Sequence, residues 1–386
     1  MKEDFLIFHR PFISEDEVNE IVDTVRSGWL SMGPKTIRFE EEFNNFIGSK
    51  KSVAVSSWTA GGHLALEAIG LKEGDEVIVP TMTFPATAEI VTYFKAVPVF
   101  VDVDKDTLNI SIDEIEKAIT PRTKAIIPVH FGGQPCDMDE ISEIAKKHNL
   151  IVIEDAAHAL PAFYKGKKIG SISHITVFSF YATKTLSTGE GGMICTDDED
   201  IAHRCSIMRL HGINKDAWQR YTECGTWYYE VIAPGYKYNF TDLQASLGIH
   251  QLRKVDLMWD KRKEIAARYS SAFKDNELLS LPIIKPDRET SWHLFPIRLN
   301  LEKIKINRNR FIDELRYLNV GVGVHFMPVH QHKYYRETYN LDNKNFPVAS
   351  SVFPQLISIP IFPGMNDADI NKVIDALTDL LNKHKK

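Results

Sequence analysis

Four cysteines in 386 residues, none in a CxxC pair, leave little material for a disulfide framework or a zinc site. Cys136, Cys195, Cys205 and Cys224 are scattered and read as reduced thiols. No apolar run approaches the length that spans a bilayer. The N-terminal Met1-Lys2-Glu3-Asp4-Phe5 opens no apolar signal core, so a cytoplasmic protein with no membrane partner is expected. An excess of one charge sign is also missing. Forty-six basic against fifty-two acidic side chains give a net charge of −6, which offers no general attraction to nucleic acid. The short basic runs 165–168 and 383–386 read as a solvated turn and a tail. No internal repeat and no low-complexity stretch interrupts the chain.

What is present is a soluble globular composition, 44% hydrophobic and 25% charged. A chain of 386 residues exceeds the usual domain of about 100–200 residues, so two domains are expected. Short β-branched runs at 52–55, 76–79, 97–102, 125–129, 150–154, 175–179 and 192–196 alternate with helical patterns at 60–69, 86–94, 112–119 and 138–148. Strand, helix and strand in repetition predict a mainly parallel sheet covered on both faces, with ligands at the carboxyl ends of the strands. After about Ala245 the pattern changes: a long charged helix over 251–273, a strand over 292–299, a helix over 308–318, a strand over 320–325 and a closing helix over 367–384. The expected division is a large domain, 1–250, and a smaller α+β domain, 251–386.

Three segments carry chemistry. Ser56-Ser57-Trp58-Thr59-Ala60-Gly61-Gly62 follows a strand and opens a helix, where free N–H groups and the helix dipole suit a phosphate. An ordinary Ser/Thr cap fits the same residues. Glu154-Asp155-Ala156-Ala157-His158 ends a buried strand. Asp155 there suits a charge-assisted bond to a protonated ring nitrogen, and equally a capped turn. In Phe178-Ser179-Phe180-Tyr181-Ala182-Thr183-Lys184, followed by Gly189-Glu190-Gly191-Gly192, a lysine sits among small hydroxyl residues between two strands. An exposed loop lysine is the plain reading; an amine that condenses with a carbonyl is the chemical one. Together, a phosphate cup, a carboxylate and a lysine are the set that pyridoxal 5'-phosphate (PLP) requires, in that order along one α/β unit.

With these segments, and with Ser27-Gly28-Trp29-Leu30, Gly74-Asp75-Glu76-Val77, Thr120-Pro121-Arg122-Thr123-Lys124, Gly235-Tyr236-Lys237-Tyr238-Asn239 and His325-Phe326-Met327-Pro328-Val329-His330, the chain resembles the DegT/DnrJ/EryC1/StrS family of PLP-dependent sugar aminotransferases over nearly its whole length. The resemblance implies fold type I: a mainly parallel seven-stranded sheet between helices, with a smaller C-terminal α+β domain. It implies transfer of an amino group from L-glutamate to a nucleotide-linked keto-sugar, a UDP-4-keto sugar in the nearest members, for surface polysaccharide. Lys184 would hold the cofactor covalently, Asp155 would pair with its ring nitrogen and His158 would lie near its ring hydroxyl. Phe84 would stack on the ring; Thr59, the Ala60 backbone and Ser179 would hold the phosphate. Asn239 would reach that phosphate from the other subunit of a homodimer with shared active sites. Glu190, His325 and His330 would face the sugar nucleotide. Trp58 departs from the family, where a small residue is usual, and stands either against the sugar or in the core.

Other readings make different demands. A sugar dehydratase of this family carries histidine at the lysine position, a desulfurase wants a reactive loop cysteine, and a non-catalytic regulator would have lost Lys184 or Asp155. His325, His330 and His332 have neither zinc spacing nor an acidic partner, so no metal is expected. His211, His250 and His293 read as packing or surface residues. The aromatic set Trp218, Tyr221, Trp227, Tyr228 and Tyr229 reads equally as lid, dimer contact or core.

Overall fold

The computed structural model describes residues 5–214 and 228–386. It opens with two helices, α1 (Glu15–Ser27) and α2 (Pro34–Ile47). Glu17 Oε2 accepts from both the Ser14 N–H and the Ser14 hydroxyl at the start of α1, at 2.9 and 2.6 Å, and Gly28 ends the helix at φ 74°. The start of α2 is capped from far away. Asp242 accepts from the N–H groups of Gly33, Lys35 and Thr36 and from the Thr36 hydroxyl, satisfying donors that Pro34 at the first helical position leaves open.

Strands and helices then alternate: β1 (Lys51–Val55), α3 (Trp58–Ala68), β2 (Glu76–Pro80), α4 (Ala86–Thr92), β3 (Val97–Val101), α5 (Ile112–Ala118), β4 (Thr123–Ile126), α6 (Met138–His148) and β5 (Ile151–Asp155). A short hairpin, β6 (Phe163–Tyr164) and β7 (Lys167–Lys168), precedes β8 (Ile175–Ser179), β9 (Gly192–Thr196) and α7 (Glu199–Met208). Seven of these strands form one sheet in the order β1-β9-β8-β5-β4-β2-β3. All neighbours are parallel except β9, which runs antiparallel to both β1 and β8. The inner strands are apolar on both faces, Val77, Ile78 and Val79 being wholly buried, because helices cover the sheet on each side. Gly61 lets α3 lie close on that sheet; a Cβ there would come within 2.8 Å of Val177. The carboxyl ends of β1, β5 and β8 share one edge with the start of β9, and the chemistry-bearing segments gather there.

The rest of the chain contributes α8 (Asp242–Arg253), α9 (Val255–Phe273), β10 (Leu279–Ser280), β11 (Arg288–Glu289), β12 (Phe295–Leu299), α10 (Arg308–Tyr317), α11 (Lys333–Thr338), α12 (Pro347–Val352), β13 (Leu356–Ile359) and α13 (Asp367–His384). The antiparallel sheet β10-β12-β13 packs with α9, α10 and α13 around a separate hydrophobic core. Leu6, from the N-terminal segment, joins this second core, and α9 spans both: Val255 and Met258 lie in the first, Ile265 and Phe273 in the second.

Two expectations need correction. The helix expected over 251–273 is two helices, because the backbone leaves helical geometry at Lys254 (φ −113°, ψ 13°) and α8 already begins behind its Thr241 cap. The strand expected over 320–325 is not one. Val320 and Gly323 make only isolated bridges, to Leu6 and Ser358, and Gly321 lets the N-terminal segment come close, with Leu6 O within 3.0 Å of where its Cβ would sit. The third strand of the small sheet is instead β13, a buried apolar run after Pro354. Trp218, Tyr221, Cys224 and Trp227 lie outside the described residues, and Tyr228 and Tyr229 are exposed. No helix among the described residues is long and apolar enough to cross a membrane.

Candidate active site

A cavity of about 620 Å³ opens at the carboxyl edge of the large sheet and is walled on its far side by the segment Gly323–Phe326. That size suits a small-molecule site. Asp155 reaches it from the last position of β5, and Lys184 from the loop between β8 and β9. Ser57 and Thr59 enter from the start of α3. Segments separated by more than a hundred residues therefore meet at one place because the parallel crossovers end there.

Asp155 is buried and held on every side. Its Oδ1 accepts from the Ala157 N–H at 3.1 Å and its Oδ2 from the Thr87 hydroxyl at 2.9 Å. Its backbone N–H donates to Pro128 O at 2.8 Å. Burial pushes the carboxyl up to about 6, while the Ala157 and Thr87 donors and the Lys184 charge pull the other way. Behind it, His130 Nε2 meets Glu154 Oε2 at 2.8 Å, and the Cys136 N–H donates to His130 Nδ1 at 3.0 Å. Nδ1 is thus the acceptor and Nε2 carries the proton toward Glu154.

Burial lowers the Lys184 amine to about 8, against the opposing charge of Asp155. A lysine with that value is far more often an uncharged nucleophile or base than one in water. His158, also on the cavity wall, stacks on Phe326 with ring centroids 5.6 Å apart, and its Nδ1 is buried with no protein partner. His325 lines the cavity, stacks on Phe8 and bonds Ser358 through Nδ1 at 3.0 Å. Burial and the Lys184 charge lower His325 to about 4 and His158 well below the usual imidazole value.

Among the remaining predicted residues, Phe84, Ser179 and Glu190 also line the cavity, Phe84 standing 60% exposed at its mouth. Ala60 does not line it; its N–H donates to Ser57 Oγ at 3.0 Å, the helix cap that the sequence also allowed. Asn239 lies beside β1, bridged to Val55, and its side-chain amide donates to Phe240 O at 2.9 Å. His330 is the clear departure. It is 1% exposed and off the cavity wall, held between the Thr81 and Ser350 hydroxyls at 2.6 and 3.1 Å and stacked on Phe346. Its polar atoms are used inside the fold, so it is a structural residue here rather than a contact for a substrate. Trp58 is largely a core residue, 6% exposed with its indole N–H donating to Val177 O at 3.1 Å, and it also forms part of the cavity wall between Ser57 and Thr59.

Sequence reading missed Thr83, Thr87, Tyr181, His293 and Phe326, all of which line the cavity. Thr87 lies in the first turn of α4 and Thr83 in the bend before it, where their hydroxyls meet at 2.7 Å. His293, read as packing or surface, is buried beside His158. Among the described residues no group of His, Cys, Asp and Glu is arranged to hold a metal.

A family model described as the DegT/DnrJ/EryC1/StrS aminotransferase family matches residues 11–378. The chain belongs to that family. It is 52% identical over 385 residues to uncharacterized protein MJ1066 of Methanocaldococcus jannaschii, covering 100% of both chains. It is 48% identical over 378 residues to the spore coat polysaccharide biosynthesis protein SpsC of Bacillus subtilis, covering 98% of this chain and 97% of that one. Among solved structures, the putative sugar aminotransferase Spr1654 of Streptococcus pneumoniae in its PMP form superposes with a TM-score of 0.92 at 34% identity, covering 98% of this chain and 99% of that one. The same enzyme is known in a PLP form. Family membership and these neighbours make the DegT/DnrJ/EryC1/StrS chain a PLP-dependent sugar aminotransferase of fold type I, as its sequence resemblance implied.

Proposed function

We propose that the protein aminates a nucleotide-linked 4-keto sugar, a UDP-sugar as the sequence resemblance implies, using L-glutamate as donor, for a surface glycan, in keeping with the likeness to a spore coat polysaccharide biosynthesis protein. The observation that carries this reading is the meeting of Asp155 and Lys184 in one cavity at the carboxyl edge of the sheet. The residues fit PLP: a locked carboxylate, a desolvated amine, a buried imidazole nitrogen without a protein partner, and a helix start with Ser57 and Thr59 toward the cavity.

Pyridoxal phosphate supplies an electron-withdrawing ring that takes up the charge left when a proton leaves the donor's α-carbon. Asp155 would keep the proton on the ring nitrogen by a charge-assisted hydrogen bond. Lys184, with its amine near 8, would hold the cofactor and would serve as the base that takes the donor's α-proton and the acid that returns it. Thr59 and Ser57 at the start of α3, with Ser179 at the end of β8, would hold the phosphate. Phe84 and His158 would flank the ring, and Glu190 and His325, on the same cavity wall, would face the sugar. Return of the amino group to a keto-sugar reverses these proton transfers, which makes the kinetics ping-pong.

A second copy completes the site in this reading, with Asn239 reaching the partner's phosphate. Two features support it. The α1 helix buries Glu17 and Thr24 and turns Val18, Val22 and Val25 outward, and Phe84 stands exposed at the cavity mouth. The division near residue 250 is supported by the separate core whose members, Leu6 apart, run from Ile265 to Leu381. Incubation of the purified protein, PLP and L-glutamate with a panel of keto-sugar nucleotides, scored by product mass, tests the reading. Amination of a UDP-4-keto sugar is expected; elimination of a hydroxyl, or amination at another carbon, overturns it.

A further inference from the structure

Asp155 stands at the end of a line of two buried hydroxyls. Thr87 Oγ1 donates to Asp155 Oδ2 at 2.9 Å, and Thr83 Oγ1 lies 2.7 Å from Thr87 Oγ1. All three side chains are buried, at 0% exposure for Thr83, 1% for Thr87 and 4% for Asp155. A hydroxyl has one hydrogen to give. An ionised Asp155 can only accept, so Thr87 spends its hydrogen there and must accept from Thr83. The chain therefore has a direction, Thr83 to Thr87 to Asp155. With the Ala157 N–H on Oδ1 at 3.1 Å, each carboxylate oxygen carries one fixed protein donor. The second acceptor sites of both oxygens remain for a ligand.

We propose that Thr87, backed by Thr83, is a positioning residue: its hydroxyl locks Asp155 in one rotamer and in its ionised form, ready for the protonated ring nitrogen of the cofactor. This rests on the PLP reading of the cavity. In a buried site an acceptor left without its donor is costly, and hydrogen bonds to charged groups are the strong ones. Few charged groups near Asp155 can replace the hydroxyl. Lys184 faces it from the loop after β8, while His130 and His158, after β4 and β5, are turned to Glu154 and Phe326. Removing the Thr87 hydroxyl thus favours a protonated Asp155, which no longer holds the ring nitrogen charged.

Thr87→Val keeps the shape and deletes the hydroxyl; Thr87→Ser restores it; Thr83→Val removes the second link. The measurements are PLP affinity by titration of apoprotein, the pH dependence of the bound cofactor's visible spectrum, and kcat and KM separately. Expected for Thr87→Val is a loss in kcat of roughly tenfold to a hundredfold, from one hydrogen bond to a charged group. PLP affinity weakens, the spectral transition moves in pH, and KM for either substrate changes little. Thr83→Val shifts the same readouts less, and Thr87→Ser stays near wild type. A Thr87→Val protein with wild-type spectrum, affinity and kcat overturns the proposal. So does a folded Thr87→Ser protein as impaired as Thr87→Val, since that assigns the effect to packing of the methyl group. A wild-type protein that takes up no PLP overturns the cofactor reading as well, and is told apart because the variants then have nothing to shift.

Discussion

The imidazoles of His158 and His293 lie 4.4 Å apart, centroid to centroid, inclined at 38°, and neither Nδ1 has a protein partner. Burial drives both well below the usual imidazole value, and each lies in the field of Lys184. His9 and His325, lowered by burial to about 3 and about 4, extend the same group. Four rings that burial keeps neutral therefore lie in the field of one amine.

These rings should show no protonation step between about pH 5.5 and 8, where a free histidine titrates. Their folded values are depressed, so the unfolded chain binds the extra protons first. Stability should fall as pH drops below about 6.5, by on the order of 1 kcal/mol per ring per pH unit. Histidine NMR and unfolding curves across that range check both statements; a step near 6.5 assigned to His158 or His293 contradicts them.

Capture of PLP by apoprotein needs the uncharged Lys184 amine. Its rate should rise with pH through a midpoint near 8, the value to which burial lowers the group. Stopped-flow absorbance reads the midpoint, and one above 10 would mean a solvated lysine.

Glu17 is wholly buried, and burial alone would raise it. Lys254, Ser14 and Gln251 outweigh that and hold it at about 2. The pairing stabilises the fold above the ordinary glutamate range and is lost as pH falls toward 2. Glu17→Gln leaves the Lys254 charge poorly matched and should cost on the order of 3 kcal/mol in denaturant unfolding, with the kinetics of the active site little changed.

Trp58→Phe keeps most of the packing and loses the bond to Val177 O, which should cost about 1 kcal/mol. Because the indole is a core group, KM for the keto-sugar should stay within roughly threefold; a larger rise would place Trp58 against the substrate.

Much of this was legible in the chain itself. The strands at 175–179 and 192–196 and the helices at 138–148 and 367–384 have the boundaries their residue patterns predict, because apolar periodicity and caps such as Asn366 are local signals. That Asp155, at the end of β5, and Lys184, in the loop after β8, would meet at the carboxyl edge of the sheet was legible from the strand pattern. What failed was non-local. The stretch at 320–325 alternates like a strand, yet its pairing depends on the N-terminal segment arriving beside Gly321. His330 carries a motif position but spends both ring nitrogens on hydroxyls far away in sequence, at Thr81 and Ser350. The link from Thr87 to Asp155 joins residues 68 positions apart, and nothing near either one announces it.

The most direct test is borohydride reduction of the PLP-loaded protein followed by peptide mass mapping. The account predicts one modified site, with the reduced cofactor on the peptide that carries Lys184, and no modification in Lys184→Ala. A cofactor trapped on another lysine, or trapped equally in the Lys184→Ala protein, contradicts it.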